Sequence, residues 1–187
     1  MELQGERLIP TSVDTTWAAL NDAEVLKSCI AGCESLERTG ADSLTAVVAV
    51  KVGPVSARFK GNLVMTNVQA PNSYTINFDG QGGVAGFGKG SADVALTAEG
   101  AQTRLKYAAR ATVGGKMAQI GSRLIDAAAG KITEDFFKAF EAHLQALATP
   151  GAAPVAVVAA PDTGVRKLWW LIGALIVLAI VYFMIRR

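Results

Sequence analysis

The chain has 187 residues, 51% of them hydrophobic and 18% charged, with 18 Lys+Arg against 16 Asp+Glu and a formal net charge of +2. Four of the basic residues, Arg166, Lys167, Arg186 and Arg187, flank a C-terminal apolar run, and no acid lies beyond Asp162, so residues 1–165 hold 14 basic and 16 acidic groups. The basic balance belongs to that run and excludes charge-driven nucleic-acid binding as a reading of the rest. Two cysteines agree with a reducing compartment and not with a disulfide framework.

The N-terminus, MELQGERLIP, carries Glu2, Glu6 and Arg7 and has no apolar h-region, so no secretory signal is read there and the following domain is expected in the cytoplasm. Residues 2–9 read as a strand. Thr11 or Ser12 caps a short helix, Val13–Leu20, with Asp14 favouring its N-terminal dipole. A second helix, Ala23–Ile30, ends near Gly32. Alternation then takes over: Leu44, Ala46, Val48, Val50 and Val52 share one face of a strand. Val55, Ala57, Phe59, Gly61, Leu63 and Met65 share a face of the next, opposite Ser56, Arg58, Lys60 and Asn62. Tyr74, Ile76 and Phe78, then Ala92, Val94 and Leu96, then Leu105, Tyr107, Ala109 and Ala111 repeat the pattern. This is the period of an antiparallel sheet wet on one face. A helix is predicted over 116–147, with Met117, Ile120, Leu124, Ala128, Ile132, Phe136, Phe140, Leu144 and Leu147 as its apolar stripe. The predicted class is α+β, a curved antiparallel sheet around a long C-terminal helix, in one domain of residues 1–148.

Residues 149–165, TPGAAPVAVVAAPDTGV, are rich in Ala and Pro and read as a flexible linker, spanning about 20–25 Å as a coil. From Leu168 to Ile185 there are 18 residues without a charge, a helix of roughly 27 Å, close to the thickness of a bilayer's hydrocarbon. Trp169, Trp170 and Tyr182 sit near its ends, where amphipathic rings favour the headgroups. Residues 166–187 are therefore expected to be a single transmembrane anchor holding an N-terminal domain on the cytoplasmic side of the cytoplasmic membrane.

The stretch WAALNDAEVLKSCIAGCESLE, Trp17–Glu37, the segment GQGGVAGFGKGSADVAL, Gly80–Leu96, and the apolar C-terminus together resemble the carbon monoxide dehydrogenase G-subunit family, within the START-like, helix-grip superfamily. Members usually have Pro where Ala31 stands here, a difference that bears on loop stiffness. The resemblance implies a cavity between sheet and long helix, and an accessory role to a molybdenum carbon monoxide dehydrogenase. The residues alone leave two arrangements open. Glycines 61, 82, 83, 86, 88 and 90 and the many alanines supply little volume, which fits a long apolar pocket. The larger positions equally fit an ordinary core. On the pocket reading, the expected ligand-binding residues are Phe59, Leu63, Met65, Ile76, Phe78, Phe87, Tyr107, Met117, Ile120 and Leu124.

No catalytic constellation stands out. Gly83–Lys89 matches a P-loop up to its lysine, but Gly90 follows where a metal-binding Ser or Thr is needed, and a strand is expected after it. The glycines are better suited to bending a sheet. Cys29 and Cys33, spaced C-x3-C with no second pair, read as buried thiols in the turn after the second helix and not as a zinc site. His143, the only histidine, reads as a surface or interface residue and not as a base. The expectation is a non-enzymatic, membrane-tethered protein with no metal and no covalent cofactor. By the resemblance it recruits the dehydrogenase; from pocket and anchor, it takes a respiratory quinone, menaquinone or ubiquinone. The alternatives are a ligand-free scaffold or assembly factor, and a lipid-modifying START-like enzyme.

Overall fold

The structure, a computed structural model, describes residues 1–148; the expected linker and membrane anchor lie outside the described residues. Seven strands form one antiparallel sheet: β1 (Glu2–Ile9), β2 (Cys33–Gly40), β3 (Ser43–Val52), β4 (Val55–Gln69), β5 (Ser73–Gln81), β6 (Phe87–Glu99) and β7 (Gln102–Gly114). Their order is β1-β7-β6-β5-β4-β3-β2. Successive hairpins build six of them in chain order, and β1 pairs with β7 at the far edge. Between β1 and β2 the chain crosses from one edge to the other through two short helices, α1 (Val13–Leu20) and α2 (Ala23–Cys29). A short helix α3 (Lys116–Gln119) and the long α4 (Ser122–Ala148) follow the last strand.

Local chemistry accounts for the helix starts. The Ser12 hydroxyl accepts the Thr15 N–H at 3.3 Å and caps α1, while the buried Thr11 hydroxyl lies 3.0 Å from that of Thr16. Asp22 Oδ1 accepts the Glu24 and Val25 N–H groups at 2.8 and 3.2 Å, capping α2. At the β3–β4 turn, Gly53 has φ +55° and Val52 pairs with Val55, the two-residue hairpin for which a left-handed residue is suited.

Three expectations need correction. The helix read over 116–147 is broken at Gly121, whose φ of +94° is not helical, so α3 and α4 are separate. β2 went unread because only Leu36 of its eight residues is buried; Glu34, Glu37 and Arg38 dress it as an exposed edge strand. Cys33 consequently opens β2, half-buried, and does not lie in a turn; its thiol donates to the Ser35 carbonyl at 3.4 Å. Cys29 closes α2 and is buried, as expected.

The core lies at one end of the sheet. One cluster joins Ile9, Leu96 and Leu105 of the sheet to Ala19, Leu20, Cys29, Phe137, Phe140 and Leu144. A second joins Leu36, Leu44, Ala46, Met65 and Tyr74, with Trp17 edge-on to Tyr74 at 5.3 Å. Both lie against α1, α2 or the C-terminal half of α4, where side chains are large. The N-terminal half of α4 presents Ile125, Ala128 and Ala129 instead, and small side chains cannot fill the same gap. Among the described residues, no helix is long and apolar enough to cross a membrane.

Candidate functional site

Where α4 carries small residues, the space under it is an apolar recess open to solvent, and a second such recess adjoins it along the sheet. An outer chamber of about 180 Å³ is lined by Val50, Val52, Phe59, Phe87 and Val113 from the sheet, by Met117 from α3 and by Ile125, Ala128, Ala129 and Ile132 from α4. An inner chamber of about 260 Å³ is lined by Ile30, Leu36, Ala46, Val48, Phe59, Gly61, Leu63, Phe78, Gly80 and Gly88, with Asn62 and Asp79 as its polar members. The two share Phe59 and Gly88.

Strand periodicity explains the lining. Val48, Val50 and Val52 on β3, Phe59, Gly61 and Leu63 on β4, and Phe78 and Gly80 on β5 all fall on the inward parity of their strands. Antiparallel register then sets Phe59 beside Val48 and Leu63 beside Phe78. Glycines form the floor beneath the rings. A methyl group on Gly82 would stand 2.6 Å from the Phe59 ring, and one on Gly90 would stand 2.8 Å from the Phe78 ring and collide with the Arg110 carbonyl. Gly88 is different: a Cβ there would meet nothing within 4 Å, because it would stand in the open space that both chambers border.

Charge is sparse in the lining, with Asp79 the one ionisable side chain of the inner chamber. Apart from the N-terminal Met1, whose amine donates to the Ala111 carbonyl at 2.9 Å, the outer chamber has no ionisable group in its lining. A larger hollow of about 390 Å³ on the sheet borders Asn67, Thr75, Asp93 and Lys106, and the first three are bonded in a chain: Thr75 donates to Asp93 at 2.7 Å and Asn67 to Thr75 at 3.4 Å. Burial pushes the Tyr74 phenol well above its ordinary range, and this ring belongs to the packed second cluster. Among the described residues, no three His, Cys, Asp or Glu side chains gather as a metal set.

Of the ten residues expected to bind ligand, five come together here. Phe59 borders both chambers, Leu63 and Phe78 the inner one, and Phe87 and Met117 the outer one. Met65 and Ile76 lie in the packed second cluster. Tyr107 stacks on Phe137 at 5.2 Å in the first. Ile120 ends α3 half-buried and lines neither chamber, and Leu124 is 50% exposed. Sequence reasoning missed Val50, Val52, Ile125, Ala128, Ala129 and Ile132 as lining. The β3 valines carried the right parity signal, and Ala128 and Ile132 stood in the predicted apolar stripe; Ile125 and Ala129 lie one position off that stripe.

Residues 5–145 match the sequence profile of the family described as the carbon monoxide dehydrogenase G subunit (CoxG). A conserved protein from Geobacillus kaustophilus of known structure is 30% identical, with a TM-score of 0.73 over 78% of this chain and 96% of that one. A START superfamily protein from Mycobacterium smegmatis (16% identity, TM-score 0.61, 78% and 98% coverage) shares the fold. So does an aromatase/cyclase from a Streptomyces species (11% identity, TM-score 0.59, 81% and 98% coverage). No curated protein matches the chain. The sheet around a C-terminal helix is thus START-like, and by the match over nearly the whole described domain the chain belongs to the carbon monoxide dehydrogenase G-subunit (CoxG) family.

Proposed function

We propose that this protein is a non-enzymatic accessory component that binds a respiratory quinone, menaquinone or ubiquinone, in the cavity around Phe59, and connects a membrane-recruited carbon monoxide dehydrogenase to the respiratory chain. The observation that carries the ligand is the pair of apolar chambers meeting at Phe59 and Gly88. Either alone is smaller than the roughly 300 Å³ of common ligand pockets. A ring with a prenyl tail needs both, with the Phe59 ring turned aside. The chemistry of the lining favours a neutral guest. A quinone brings only carbonyls into this lining, whereas a fatty acid or phospholipid would depend on the N-terminal amine of Met1, which is already hydrogen-bonded to the Ala111 carbonyl. The partner fits the same ligand: oxidation of carbon monoxide with water releases two electrons and two protons, and a quinone takes up two of each to become a quinol.

Mass spectrometry of an organic extract of the purified full chain is the direct test. The expected result is a quinone in near-stoichiometric amount; an extract holding only phospholipid would sink the quinone reading. Recruitment is tested separately, by stopping the chain at Leu147. The truncated protein is expected to leave carbon monoxide oxidation with a soluble dye unchanged while electron delivery to the respiratory chain falls. Loss of the dye-linked activity would point to an assembly role instead.

A further inference from the structure

Three segments meet at the end of the domain away from the packed core: the β3–β4 turn, the turn before β6, and the stretch from the end of β7 into α4. The Gly53 backbone approaches Leu124, Gly82 lies against Phe59, and Gly86 lies against Gly115. Their apolar side chains point outward to an unusual degree. Val84, in the 3-10 turn Gly83–Ala85, is 85% exposed, Leu124 is 50% exposed and Phe87 36%. Charge in these segments is of one sign. Residues 49–57, 82–91 and 112–125 contain Lys51, Lys89, Lys116 and Arg123 and no Asp or Glu; the acids that border them are Asp79, across the strands from Lys89, Asp93 and Asp126. All four cations are exposed, and none of them enters an ion pair among the described residues, although six other pairs form elsewhere. The outer chamber is lined by Val52, Phe87 and Met117 from the same three segments.

We infer that this tip is a docking surface for an anionic lipid bilayer, with Val84, Leu124 and Phe87 entering the interface and Lys51, Lys116 and Arg123 meeting the headgroup charge. Protruding apolar side chains ringed by lysine and arginine match the headgroup–acyl boundary, where each basic residue near the surface adds attraction. A protein partner would have to supply both a matching acidic ring and pockets for three separate apolar tips; a bilayer supplies both without shape. The purpose assigned to this docking, bringing the outer chamber to the membrane, rests on the quinone reading, so lipid attachment is measured apart from ligand content.

The described residues, 1–148, lie within one compact unit, and the related Geobacillus protein is matched over 96% of its length, so the domain stands without the C-terminal run. That fragment is co-sedimented with vesicles of phosphatidylcholine alone and of phosphatidylcholine mixed with phosphatidylglycerol. It is expected to bind the mixed vesicles, to be released by salt, and to ignore the neutral ones. The variant Lys51→Glu/Lys116→Glu/Arg123→Glu should bind at least a hundredfold more weakly. Val84→Ser/Leu124→Ser should bind severalfold more weakly at unchanged net charge. These side chains are exposed, so thermal unfolding should stay within a degree or two of the parent. Lys106→Glu/Lys138→Glu, reversing charges away from the tip, should bind like the parent. Absence of binding to the anionic vesicles, or equal loss in the tip and control reversals, overturns the proposal. So does a tip reversal that spares vesicles but abolishes binding to the dehydrogenase, which would assign the surface to an acidic protein.

Discussion

Gly88→Leu is expected to leave the domain folded and empty. Gly88 borders both chambers, sits inside β6, and has no atom within 4 Å of where a Cβ would stand. Its backbone is not in the left-handed region, so a side chain brings no strain. Replacing a strand-interior glycine reduces the freedom of the unfolded chain, worth about 0.5–1 kcal/mol in favour of folding, and the leucine buries apolar surface as it enters the void. The melting temperature of the ligand-free variant should equal or exceed that of the parent. Quinone recovered from it should fall at least tenfold, because the new side chain stands at the junction a long ligand must cross. The neighbouring inward position gives the opposite result. Gly90→Ala puts even a methyl group against the Arg110 carbonyl and the Phe78 ring, and is expected to destabilise by about 1–3 kcal/mol. If Gly88→Leu loses stability as Gly90→Ala does, the cavity is filled in solution. If it keeps both stability and quinone, the ligand lies elsewhere.

The contrast between these two glycines also marks where sequence reading stops. Period-two alternation placed Phe59, Leu63 and Phe78 on the inner face, because parity in a paired strand leaves no other choice. It placed Met65, Ile76 and Tyr107 there as well, also correctly, but parity says nothing about position along the strand, and these three lie at the packed end. Distance from the packed end depends on which half of α4 crosses above, a tertiary fact. Helix phase held at Met117 and from Phe136 to Leu144 and slipped between them. A series spaced by four drifts by about 40° per step on a 3.6-residue helix, so at the N-terminal end of α4 Leu124 turns outward while Ile125 and Ala129 face the sheet, and Gly121 separates Ile120 from that helix. A glycine inside an apolar helical pattern was the available warning. Ala109 and Gly121, which look like natural places to block a pocket, line neither chamber; Gly121 would further strain any side chain at its positive φ.

The same division of the domain predicts that two phenylalanines under one sheet differ in what they contribute. Phe140 is fully buried in the first cluster, where Phe136 stacks on it at 5.7 Å and Leu144 beside it is also inaccessible. Its truncation opens a void among large side chains that cannot collapse, so Phe140→Ala should destabilise by about 3–5 kcal/mol. Phe59 is only half-buried and already borders two chambers, so its ring has lost part of its packing contacts in the parent. Phe59→Ala in the ligand-free domain is therefore expected to cost no more than about 2 kcal/mol, below the usual range for a core phenylalanine. Chemical denaturation of the extracted, quinone-free proteins gives both values on one scale, with unchanged m-values required for the comparison. Adding quinone should stabilise the parent, since a ligand that binds only the folded state shifts the equilibrium by mass action. It should stabilise Phe140→Ala by a similar increment, because that residue touches neither chamber. In Phe59→Ala the increment should change, because the side chain at the junction is gone. Equal destabilisation by the two truncations would mean that the end of the domain around Phe59 is packed like the other, and that no cavity waits there for a ligand.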